Sequence, residues 1–73
     1  MPRVRVESEV AGSVWTIEAK VGDRLAEEAT ILVLESMKME IPVLAPEAGR
    51  LVELLVAEKD VVAEGQLLAV IEV

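Results

Sequence analysis

Apolar and polar residues alternate along this chain in short runs, the period of strands rather than of helices. Arg3 to Glu7 alternates charge with valine, so Val4 and Val6 face one way, as in a half-buried strand. Ser13 to Ala19 follows, with Trp15, Ile17 and Ala19 on one parity and Val14 on the other, which predicts a bulge or a crowded end near Gly12. Val21-Gly22-Asp23 is a turn signal, after which Leu25 and the polar Glu27-Glu28 lead into a strand from Ile31 to Ser36. The next run, Ile41 to Leu44, contains Pro42, which cannot donate to a ladder and so predicts an edge or an irregular pairing. Pro46 and Gly49 punctuate the chain before a strand from Leu51 to Val56, a turn at Lys59-Asp60 and a last strand from Gln66 to Glu72.

Between the runs Ile31 to Leu34 and Ile41 to Leu44 stands Glu35 to Glu40, ESMKME. The spacing predicts a hairpin with Lys38 at its tip. A two-residue hairpin turn normally draws on Asn-Gly, Asp-Gly or a leading Gly, because its central residues take positive φ. Met37-Lys38 has none of that chemistry, and a local rule broken at one place points to a functional constraint there.

The chain also repeats itself. An offset of 37 places Gly12 on Gly49, Asp23 on Asp60, Ala26-Glu27 on Ala63-Glu64, Val33 on Val70 and Glu35 on Glu72, without a gap. Two half-units of about four short strands each are implied, neither able to bury its apolar face alone. They are expected to pack face to face within one domain over residues 1–73. The fold class is all-β, a flattened barrel or sandwich of two four-stranded antiparallel sheets with an internal pseudo-two-fold. Ile71-Glu72-Val73 is then the counterpart of Leu34-Glu35-Ser36, which sends the C-terminus to the end of the molecule opposite Lys38.

Composition sharpens this picture. Val and Ile number 17 against a single aromatic residue, Trp15, which favours strands. There is no Cys or His, so disulfides, thiolate metal sites and the commonest general base are excluded. A net charge of −7, with four Arg and three Lys scattered along the sequence, argues against nucleic acid or an anionic membrane as partner. No apolar run is long enough to span a bilayer, and MPRVRVESEV is unlike a signal peptide, so a soluble cytoplasmic protein is expected.

A lysine becomes a nucleophile by its own protein's action only where burial or a neighbouring cation favours the neutral amine. The charges nearest Lys38 are Glu35 and Glu40, which favour the ammonium, so self-catalysis by Lys38 is not expected. The Glu27-Glu28 and Glu35/Glu40 pairs have the chemistry of an acid and base or of a hard-cation site, but on so acidic a small chain they read as solvated surface. A lysine that cannot catalyse can still be modified.

ESMKME resembles the attachment motif of biotin carboxyl carrier domains, in which Met-Lys-Met follows a small or hydroxyl residue with an acidic residue ahead. Gly12-Ser-Val-Trp, Val21-Gly22-Asp23 and Ala45-Pro46 to Gly49 fall at that family's spacings, so the resemblance covers nearly the whole chain. It is closest to the short, free-standing biotinyl/lipoyl attachment proteins. The resemblance implies that Lys38 is acylated by a biotin protein ligase through biotinyl-adenylate. It implies that Met37 and Met39 flank the covalent biotin, and that Glu35, Ser36 and Glu40 frame the tip that ligase and partners recognise. It implies further that a biotin carboxylase loads the ureido ring from ATP and bicarbonate, and that a carboxyltransferase passes the carboxyl group to an acceptor. On this reading the chain is a non-catalytic carrier subunit, with no catalytic residue and no metal site of its own.

The departures are specific. The family often has Gly at the positions of Glu28 and Lys59, so those turns are built differently here or hold a side chain at a cost. Ser8 to Gly12 lacks the family's common Ala-Pro, and there is no room for the protruding thumb or the Ala/Pro-rich linker of some carriers. Two other readings compete. A lipoyl carrier has the same fold, but Asp-Lys-Ala is commoner around its lysine, so Met37 and Met39 count against it. An unmodified interaction module, like similar barrels in transport adaptors, needs no acceptor lysine, and this tip has one.

Overall fold

The computed structural model describes residues 2–73. Eight strands follow one another: β1 (Arg3–Glu7), β2 (Gly12–Ile17), β3 (Arg24–Leu25), β4 (Thr30–Ser36), β5 (Met39–Leu44), β6 (Gly49–Leu54), β7 (Val61–Val62) and β8 (Leu67–Glu72). They form two antiparallel four-stranded sheets, ordered β1-β8-β6-β3 and β5-β4-β2-β7. Fully buried Ile31, Leu32 and Leu34 of β4 meet Leu68, Ala69 and Ile71 of β8 between the sheets, joined by Val14, Leu51 and Val62. The near-continuous apolar runs of β4 and β8 suit strands flanked on both sides by neighbours. The alternating β1 suits an edge, with Val6 buried and Arg5 and Glu7 exposed.

The offset of 37 carries β2 onto β6, β3 onto β7 and, within a residue, β1 onto β5 and β4 onto β8, so it turns one sheet order into the other. The halves do not pack face to face as separate sheets, however. Each sheet takes two strands from each half, so neither half completes a four-stranded sheet without the other. Equivalence along a sequence says which strands match, and the pairings between the halves, β1 with β8, β2 with β7, β3 with β6 and β4 with β5, decide which are neighbours.

Of the bulge or crowded end expected near Gly12, the crowding is at Gly12, against the backbone of Glu35, while the bulge sits at Trp15, between Val14 and Thr16, with its counterpart between Leu51 and Glu53. The extra residue resets the alternation: Val14 points into the core while Trp15 stays 50% exposed, so Trp15 is not in the apolar row with Ile17 and Ala19. The observed strands Gly12–Ile17, Gly49–Leu54 and Leu67–Glu72 also differ by one or two residues from the expected ends. Pro42 lies on β5, an edge strand, as its missing N–H requires.

Four tight turns join these strands, and the repeat relates them in pairs. Asp23 N donates to the Lys20 carbonyl, Ala29 N to Ala26, Asp60 N to Ala57 and Gln66 N to Ala63. The third residue of each has positive φ, as type II turns require: Gly22 at 100°, Glu28 at 70°, Lys59 at 77° and Gly65 at 83°. Asp23 and Asp60, which the repeat superimposes, each accept a bond from the first N–H of their own turn, at 3.0 and 2.8 Å. The strain expected at Glu28 and Lys59 is therefore present. Left-handed geometry costs a side-chain-bearing residue about 1 to 2 kcal/mol, against about 0.5 to 1 kcal/mol of extra chain entropy lost by glycine. Glu28→Gly and Lys59→Gly are each expected to stabilise the protein by about 0.5 to 1 kcal/mol, read as a rise in Tm of a few degrees. An unchanged or lower Tm in both refutes it.

The four arginines, scattered in the sequence, are gathered by the fold. Val4, Val6, Leu25 and Leu51 face inward, so Arg3, Arg5, Arg24 and Arg50 share the outer face of the β1-β8-β6-β3 sheet. There three of them pair with acids of the same sheet: Arg3 with Glu53 at 3.3 Å and Glu72 at 3.8 Å, Arg5 with Glu7 at 3.3 Å, and Arg50 with Glu72 at 3.9 Å.

The molecule is elongated, 36 × 18 × 17 Å. At one end Ser36 Oγ donates to the Ala11 carbonyl (2.8 Å), and close by in sequence Ser8 N donates to the Gln66 carbonyl (2.9 Å) at the start of β8. From there the six residues of β8 run away for roughly 20 Å. Val73 N then donates to the Pro2 carbonyl at 3.0 Å, so the paired ends lie away from the β4-β5 hairpin tip.

Candidate functional site

β4 and β5 pair from Thr30↔Leu44 to Ser36↔Met39, leaving only Met37 and Lys38 between the strands. Both take positive φ, 53° and 66°, the pattern of a type I′ turn. That turn matches the right-handed twist of the strands, which is why two residues suffice to reverse the chain. Neither residue is Gly, Asn or Asp, so the tip stores about 2 to 4 kcal/mol of backbone strain. Its arms are anchored well enough to hold it: Leu34 is buried in the core, and Ser36 is tied to Ala11.

Gly12 completes the anchor. A Cβ there falls on the Glu35 carbonyl oxygen and 3.2 Å from Ser36 Cβ, so β2 lies against the hairpin arm at a distance only glycine permits. Gly49 does the same against Glu72 at the opposite end, with a Cβ 2.5 Å from the Glu72 oxygen and 2.7 Å from Ile71 Cγ2. The repeat already singled out these glycines as a matched pair. The crowding expected near Gly12 is thus a close approach of two backbones, and Gly49, read from the sequence as punctuation, shares it.

The tip is bare. Lys38 is exposed, Met37 is 92% and Met39 64% exposed, and among the described residues no carboxylate comes within 4.0 Å of the Lys38 ammonium. Glu35 and Glu40 stand directly opposite one another across the strands, both exposed and neither in an ion pair among the described residues. Ser36, one register position nearer the tip, bonds into the fold. Glu27 and Glu28 lie in a type II turn and do not join the tip's acids. Met37, Lys38 and Met39 thus present one primary amine between two thioether side chains, with no nucleophile or base beside it. A long acyl chain on that nitrogen meets no steric bar.

A family model described as biotin-requiring enzyme, the biotin/lipoyl attachment domain, matches residues 2–71. The chain belongs to this family. A "Biotinylated protein TB7.3 homolog" of Mycobacterium leprae is 42% identical to this attachment domain over 66 residues, 90% of this chain and 93% of the relative. A "Biotin/lipoyl attachment protein" of Bacillus subtilis is 40% identical over 63 residues, 86% of each. Among solved structures, the urea carboxylase of Kluyveromyces lactis superimposes with a TM-score of 0.93 at 32% identity, over 99% of this chain but 6% of the carboxylase. Two β-sheets and a lysine-tipped hairpin are therefore the architecture of a biotin/lipoyl attachment domain, as the ESMKME resemblance implied.

Proposed function

We propose that this chain is a non-catalytic biotin carrier and that Lys38 Nζ is its acceptor atom. The observation that carries the reading is the tip itself: a lone exposed amine held in a strained two-residue turn, in a chain of the biotin-requiring family. Strain at a functional site persists where the surroundings over-determine it, and here Leu34, Ser36 and Gly12 do so.

The domain's part in attachment is to position. Lys38 Nζ attacks the acyl carbon of biotinyl-adenylate, an amide bond forms, AMP leaves, and the protons lost from Nζ pass to a base of the biotin protein ligase. The ligase must supply that base, because this sequence has no His or Cys and no acid within ion-pairing distance of Lys38. Met37 and Met39 offer flexible, polarizable contacts beside the amine, and Glu35, Ser36 and Glu40 frame the segment that a ligase or a carboxylase component grips. Once attached, biotin supplies a ring nitrogen able to hold a carboxyl group between a biotin carboxylase and a carboxyltransferase, in the cytoplasm. The rigid hairpin keeps its root clear of the protein body.

A lipoyl group on the same lysine is the second reading, favoured by the B. subtilis relative, whose name covers both groups. Intact mass of the protein purified from its own host separates the two. A single biotin adduct, with capture on avidin, is expected; a lipoyl adduct replaces the cofactor, and an unmodified mass overturns both readings.

A further inference from the structure

The pseudo-two-fold supplies an internal comparison, because each position on one sheet's outer face has a counterpart on the other's. The offset of 37 carries Arg3, Arg5, Arg24 and Arg50 onto Glu40, Pro42, Val61 and Ser13. Every arginine of the self-paired face is thus lost from the face that bears the tip. Val61 and Glu35 both pair with Ser13, and Glu35 pairs with Glu40, so these four form one row across the sheet beside Lys38. Behind that row, Pro42 pairs with Val33, Val33 pairs with Thr16, and Trp15 bulges beside Thr16.

The two faces differ in cover as well as in charge. Val70 is 7% exposed, beside Arg5 on the arginine face, whereas its counterpart Val33 is only half-buried. Val61 is 82% exposed, Trp15 50% and Leu44 41%. The tip-bearing face therefore combines an apolar patch with two carboxylates that have no cation among the described residues. Exposed apolar area beside unpaired carboxylates points to an interaction site.

We propose that this face, centred on Trp15, Pro42 and Val61, is the docking surface for the enzyme that acylates Lys38. The enzyme's complementary surface is an apolar patch rimmed by Lys or Arg that meet Glu35 and Glu40. The choice of the acylating enzyme follows from reach. Acylation occurs at Nζ, on a four-carbon stem rooted in the hairpin, so an enzyme that reaches this atom comes within contact range of the hairpin's own sheet. An enzyme acting at the far end of an attached chain has no such need. The inference rests on Lys38 being the acceptor.

Initial rates of biotin attachment by a purified biotin protein ligase, with ATP and biotin, test it. Trp15→Asp is expected to raise KM for this protein at least tenfold with little change in kcat. Glu40→Arg should raise KM and flatten its dependence on salt. Val52→Asp, at the position equivalent to Trp15 on the arginine face, should leave KM unchanged, and Tm of each variant reports folding. The proposal is overturned if Trp15→Asp and Val52→Asp leave KM alike. It is also overturned if Trp15→Asp dissolves a self-associated form without altering KM, since the face then binds a second copy of the chain. A wild-type protein that accepts no biotin instead overturns the acceptor reading, and is seen before any variant is compared.

Discussion

Lys38→Arg is expected to abolish biotin incorporation completely, with no avidin capture after co-expression with a biotin protein ligase and no activity from a carboxylase assembled on the variant. The substitution keeps the positive charge, yet a guanidinium stays protonated and offers no amine lone pair for acylation. It should leave the fold alone. Lys38 is exposed and without an ion pair among the described residues, so the change in stability is expected to lie within about 0.5 kcal/mol. Lys59 is the matched control, since it too is an exposed lysine at positive φ but sits in a type II turn at another place. Lys59→Arg should be captured as fully as the unsubstituted chain. Avidin capture of Lys38→Arg would show that the acceptor is elsewhere.

Gly12→Ala and Gly49→Ala are expected to cause the largest loss of stability among the changes considered. Neither glycine has positive φ, so the requirement is for space, and the added methyl meets backbone atoms that cannot swing aside. Overpacking of this kind costs about 1 to 3 kcal/mol. In a domain this small that lowers Tm by on the order of 10 °C, measured by thermal unfolding. The two variants should part company in function. Gly12→Ala pushes on Glu35 and Ser36 and so disturbs the tip, lowering the maximal rate of biotin attachment at temperatures where the variant is still folded. Gly49→Ala pushes on Glu72 and Ile71 at the far end and should not. Equal attachment rates would show that the hairpin is insensitive to its support.

The sequence made much of this legible because its strongest signals are local. Pro42 announces an edge or an irregular pairing, Val21-Gly22-Asp23 and Lys59-Asp60 announce turns, and Met37-Lys38 stands out by lacking turn residues where a turn must be. Trp15 was misplaced because the clash of parities announces an extra residue without saying which residue it is, and the bulge falls on Trp15 itself. β3 and β7 have two residues each, too few for any period. The interleaving of the halves and the gathering of the arginines both depend on which strands become neighbours. That is settled by contacts between residues far apart in the chain, such as Arg3 with Glu72 and Arg24 with Arg50.

The Val73-to-Pro2 hydrogen bond has a mechanical consequence. Under the pseudo-two-fold, Ser36 and Met39 flank the tip as Val73 and Pro2 flank each other, so the paired Pro2 and Val73 are the structural twin of the β4-β5 tip. A longer polypeptide joined there grips the domain by a handle, the full length of the barrel away from the blade. Splicing or tethering at that end makes no contact with the β4-β5 tip, so the same small body can stand free or embedded without change at Lys38.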